Sequence, residues 1–155
     1  MFESTSPPGA SAGPTLLQLS LLGGASFREV TELLGGLTWA EVGAPHAGLP
    51  HTLADVIWHL SVTQRASLNI ASGRADGWPD ELNVWPNAPL TEPEFTAAHA
   101  DLLAGLPEAQ ALARDPSSRA RDVLTDLAVH SAYHWGQVAL LRRLTGTLPA
   151  AGGGA

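Results

Sequence analysis

Cysteine is absent from the 155 residues, which removes disulfides, thiolate nucleophiles and cysteine metal ligands in one step. Any metal held by this chain must be bound through nitrogen and oxygen. Lysine is absent as well. All eight cations are arginines, set against fifteen acids for a net charge of -7. Only Arg119 with Arg121 and Arg142 with Arg143 sit close together, so the basic surface that neutralises a phosphate backbone is missing and nucleic acid is not an expected partner. No apolar run approaches the roughly 18 residues of a membrane span. The opening "MFESTSPPGASAGP" lacks the charged start and apolar core of a secretory signal, and the cytoplasm is the expected location. Nucleophile elbow, phosphate loop and dinucleotide fingerprint are all missing, because the "GG" and "GGG" runs have the wrong context.

What is present is the composition of a folded domain: 45% hydrophobic and 15% charged residues in a length suited to a single core. Pro-, Gly-, Ser- and Ala-rich ends predict tails over 1–13 and 148–155 around one domain spanning 14–147. Strand-like alternation is weak, and four helices are expected. The first runs from Thr15 to Leu34 with Leu16, Leu19, Phe27, Val30 and Leu34 near one face, interrupted in propensity by Gly23-Gly24 and stopped by Gly35-Gly36. A second starts from Thr52 as N-cap and ends at Ser72-Gly73. The third follows the capping box "TEPE" at Thr91–Glu94, with a break or kink expected between Gly105 and Pro107. The last runs from Ser118 to Thr145, stopped by Gly146, with Arg142 and Arg143 placed against its dipole. The architecture expected is an all-α four-helix bundle. Residues 73–90 are long enough to cross a whole helix, which makes them a crossover between parallel neighbours. Their two stiff dipeptides, Trp78-Pro79 and Trp85-Pro86, favour a cap over the core more than a substrate lid.

The last helix carries "LAVHSAYHWGQVALLRRLTG", in which His130 and His134 lie about 40° apart on the apolar face, with Leu127, Val123 and Leu141 beside them. In the second helix His59 shares the inward face with Val56, Thr63, Ala66 and Ile70. If these helices pack together, three imidazoles converge in the interior, where bundles commonly build metal sites. Three nitrogens leave a coordination position open, which is the mark of a catalytic site. The competing reading is a set of hydrogen-bonded core histidines, since a lone inward histidine is ordinarily just that. Asp55, one turn before His59, is a fourth ligand, a partner fixing an imidazole tautomer, or an early-turn acid. Gln137 and Tyr133 flank the pair as possible donors to a bound molecule, or simply as packing residues. His46 and His51 fall in the preceding loop and are expected in solvent, with His51 able to approach the mouth of the site; His99 is expected at the surface or boundary.

Together, "LPHTLADVIWHL" and "DLAVHSAYHWGQVALLRRLTG" resemble the DinB or YfiT-like superfamily of metalloenzymes, over about residues 15 to 147. The resemblance implies a four-helix bundle with one long crossover, a divalent metal on His59, His130 and His134, and a homodimer. Three imidazoles suit zinc, nickel, iron or copper as that cofactor. Thiol-dependent relatives, S-transferases using bacillithiol and isomerases using mycothiol, imply a low-molecular-weight thiol as co-substrate and a small-molecule electrophile as substrate. Water in place of the thiol would make a hydrolase. A bundle that binds metal without catalysis, in a stress response, is the rival from another class.

Overall fold

The computed structural model describes residues 13–150. Most of the expected N-terminal tail (1–12) and the end of the C-terminal one (151–155) lie outside the described residues. The described residues form six helices: α1 (Leu16–Leu22), α2 (Val30–Leu34), α3 (Trp39–Val42), α4 (Leu53–Ala71), α5 (Glu92–Arg114) and α6 (Ser118–Leu144). No strand occurs among the described residues.

The expected single helix over 15–34 is two helices. Gly23 and Gly24 adopt φ of 79° and 91°, a left-handed geometry that ends α1 after seven residues and that side-chain-bearing residues rarely take. A Cβ at Gly23 would lie 2.3 Å from the Arg28 carbonyl oxygen, so the turn closes too tightly for anything larger. The break also resets the helical phase: Leu16, expected on the inner face, is 78% exposed, whereas Leu21 and the capping-box residue Gln18 are buried. The short α3, capped by the Thr38 side chain, has no counterpart in the sequence reading.

The expected break near Pro107 is likewise absent, and α5 runs through it. Pro107 lies on the exposed side, where water can satisfy the carbonyl that loses its donor. Gly105 serves packing instead, because a Cβ there would fall 1.9 Å from Gln64 Nε2. That amide donates to the Leu102 carbonyl at 3.0 Å and brings α4 and α5 into close contact.

Pairings between α4 and α5 climb in the same direction, from Ser61 with Asp101 to Arg65 with Glu108, so these helices are parallel and residues 72–91 cross between them. The crossover packs down through Trp85 and Leu90, which lie against the main core with Ile57, Leu102 and Val138, while Trp78 stays 44% exposed. α6 runs against α4 and closes a second cluster built on Leu68 and Leu124. At its end the Arg142 guanidinium, 1% exposed, forms an ion pair with Glu41 (Nε to Oε1, 3.1 Å) and donates to the Leu33, Gly35 and Thr147 carbonyls. Its role is therefore tertiary, beyond the helix-dipole partner expected from sequence. Leu148 and the Pro149 and Ala150 carbonyls, within the expected tail, contact the core and Arg28 respectively.

Candidate metal centre

Why α4 delivers His59 inward begins at its N-terminus. Thr52 accepts from the Asp55 amide while the Asp55 carboxylate accepts from the Thr52 amide at 2.9 Å, a reciprocal cap that fixes the helix phase. Two turns on, Val56, Leu60 and Thr63 are buried, and His59 with them at 5% exposure. On α6, Leu127, Ser131, His134 and Val138 are buried and His130 is half-buried.

The three rings meet edge to face, with centroids 4.6 to 4.9 Å apart and interplanar angles of 61° to 70°. One ring nitrogen from each lies within 4.8 Å of those of the other two. His59 Nδ1 is 2.7 Å from the Val84 carbonyl oxygen. A carbonyl only accepts, so Nδ1 carries the proton and Nε2 presents a lone pair. That Nε2 stands 3.0 Å from His130 Nε2, a separation at which facing lone pairs need a proton or a cation between them. Two nitrogens bound to one ion at about 2.1 Å lie about 3 to 3.4 Å apart, so the spacing fits a shared ion. His134 Nδ1 is 2.7 Å from Gln137 Oε1, which by the same logic leaves His134 Nε2 for the cluster. Outer hydrogen bonds of this kind fix tautomer and ring direction in metal sites.

Burial holds the His59 imidazole down, to about 4 from its ordinary 6.5, with the Val84 bond opposing and the neighbouring imidazoles reinforcing the shift. His130 is lowered as well, again chiefly by burial and then by His134, against an upward pull from Asp126. Both are neutral near pH 7, the state in which imidazole binds metal. Among the described residues the cluster contains no carboxylate. Asp55 closes the helix cap, with His51 Nδ1 4.0 Å from its carboxylate, the early-turn role among those considered from sequence.

Sequence reasoning missed the crossover's contribution. Trp85 stacks on His59 at 3.9 Å and 3°, and His51 stacks on the opposite face of the same indole at 3.8 Å and 3°. His51 and His46 are thus half-buried rather than solvated. The only signal was the WP dipeptide, which marks a stiff apolar loop without saying where it lands. His99 is apart from the site, bonded through Nε2 to the Leu34 carbonyl at 2.9 Å. Beside the cluster opens a cleft of about 690 Å³ reaching His134, Gln137 and Tyr133. No helix among the described residues is long and apolar enough to cross a membrane.

Among curated proteins and among solved structures, none matches the chain. The family model described as the DinB superfamily does match, over residues 25–138, a span that contains all three clustered histidines and Gln137. With an all-helical fold, the chain belongs to the DinB superfamily.

Proposed function

We propose that this protein is a metal-dependent enzyme in which His59, His130 and His134 hold one divalent ion, zinc, nickel or iron, and a low-molecular-weight thiol or a water is activated there for attack on a small electrophile. The observation that carries this reading is the convergence of three ring nitrogens within 4.8 Å. When bound, such an ion supplies Lewis acidity that lowers the pKa of a thiol or water within its reach.

The chain's own residues do the rest. The Val84 carbonyl and Gln137 Oε1 each hold an Nδ1 proton, which keeps Nε2 of His59 and His134 unprotonated and aimed into the cluster. Trp85 covers one face of His59 and shields it from water. The cleft beside His134 gives a small molecule access. A cluster of three imidazoles without a carboxylate among the described residues is the donor set of an open site, which favours catalysis over an ion that serves only to hold the fold. The thiol-dependent reading fits a reducing compartment such as the cytoplasm. Homodimerisation is proposed through the apolar patch where Leu16 of α1 and Val129 of α6, 78% and 69% exposed, line one groove that shares no lining residue with the His134 cleft, a patch of the kind a second copy covers. Sedimentation velocity of Val129→Glu beside the wild type checks it, and a monomeric wild type contradicts it.

The functional test is thiol consumption by zinc-, nickel- or iron-loaded protein given 1-chloro-2,4-dinitrobenzene and a panel of low-molecular-weight thiols, with an activated ester as the water-dependent control. Turnover should exceed that of chelated protein and of the variant with all three histidines changed to alanine. Equal rates in all three contradict the proposal.

A further inference from the structure

The cleft beside His134 has a composition unlike that of the chain as a whole. The protein carries fifteen acids and a net charge of -7, yet among the described residues no Asp, Glu or Arg lines this cleft. Its walls are mainly aliphatic, with Val56 and Leu141 at the base and Leu49 and Leu144 at the rim. The polar groups are imidazoles, the Tyr133 hydroxyl and the Gln137 amide. A cation entering here would lose hydration with no carboxylate to replace it.

Aromatic rings are the other common partner of cations, but the Tyr133 ring is 68% exposed, where water leaves that attraction weak, and the Trp85 indole cannot serve. His51 occupies one face of Trp85 and His59 the other, at 3.8 and 3.9 Å. Only the ring edge remains, and that edge is the electropositive part of the quadrupole.

Gln137 adds a direction. Its Oε1 is engaged by His134 Nδ1 at 2.7 Å, so the amide nitrogen is left with its two N–H donors in a residue that lines the cleft. One side chain therefore orients a histidine of the cluster and offers a donor beside it. We propose that this cleft binds the second substrate of the site, an apolar organic molecule that carries no positive charge and presents an oxygen acceptor to the Gln137 amide. That the molecule is a substrate rests on the metal-site reading, whereas the cleft's selectivity rests on its own lining.

The experiment uses three probes with one ring system and different charge: naphthalene-2-sulfonate, 2-naphthol and 2-naphthylmethylammonium. Each is titrated calorimetrically into the full chain after chelation and again after zinc loading. The sulfonate and the naphthol should bind at least tenfold more tightly than the ammonium, in the metal-free protein as well. Gln137→Glu keeps an acceptor for His134 Nδ1 and replaces the donor with a carboxylate, so it should weaken the sulfonate at least tenfold and tighten the ammonium. Leu49→Glu, at a half-exposed rim position where folding is not at stake, should move the order the same way. Equal binding of the three probes, no binding of any, or an order indifferent to both variants overturns the proposal. If zinc fails to bind while the charge order persists, the metal reading falls and the cleft's selectivity stands.

Discussion

Replacing Arg142 with methionine tests whether the end of α6 is fastened as the structure shows. The guanidinium is 1% exposed and donates to Glu41, Leu33, Gly35 and Thr147, while the Glu41 side chain is itself 8% exposed. Methionine keeps much of the buried volume but leaves a carboxylate whose remaining side-chain partner is the Thr147 hydroxyl, together with three carbonyls that lose a donor. Breaking a buried pair from one side costs about 3 to 5 kcal/mol, a large part of the roughly 5 to 15 kcal/mol that holds a domain together. Urea unfolding followed by far-UV circular dichroism should show that loss as a lower midpoint at unchanged slope. Adding Glu41→Gln removes the stranded charge, so the double variant should recover about 2 kcal/mol relative to the sum of the singles. Arg142 lies two turns beyond His134, and the folded fraction should bind zinc as the wild type does. A loss under about 1 kcal/mol, or additive singles, would refute the reasoning that this pair is buried and coupled.

Other expectations follow from single contacts. Gly105→Ala puts a Cβ 1.9 Å from Gln64 Nε2 and should cost about 1 to 3 kcal/mol through overpacking; an unchanged thermal midpoint would contradict the close approach of α4 and α5. Metal-free protein should lose stability on acidification. Above pH 6.5 His59 is neutral in both states, and as pH falls toward about 4 the unfolded chain takes up a proton that the folded chain resists, a loss approaching about 3 kcal/mol. Unfolding free energies measured from pH 7 to 4 in wild type and His59→Asn should diverge over that window, and parallel curves count against it. Trp85→Ala uncovers His59, so its imidazole titration, followed by NMR in the metal-free protein, should move up from about 4 toward its ordinary value; an unmoved midpoint means the indole contributes no desolvation.

The parts of the site that lie on long helices were legible in the sequence. The Thr52 cap and the 3.6-residue period place His59 on the inner face of α4, and four-residue spacing puts His130 and His134 together on α6. Regularity carries the information there, so the helical ranges of α4 and α6 agree with the sequence reading to within a residue or two. What escaped depends on contacts between distant residues or on backbone geometry. Nothing local says that Val84 and Trp85, in a crossover 25 residues from His59, supply its acceptor and its cover. Nothing local says that Arg142 meets Glu41, 101 residues earlier. The Gly23-Gly24 pair was visible as a weakness of the first helix, but its positive φ values are set by the tight return to Arg28. At Pro107 the opposite occurred: a strong local breaker was overruled because it faces solvent while Gly105, two residues earlier, packs against Gln64.

The most direct measurement is metal content by mass spectrometry of untagged protein, reconstituted with zinc, nickel or iron and then desalted, beside the variant in which His59, His130 and His134 are alanine. The account predicts about one tightly held divalent ion per chain in the wild type and its loss in the variant. No ion in the wild type with any of the three metals, or the same ion retained by the variant, contradicts the claim that these imidazoles are ligands.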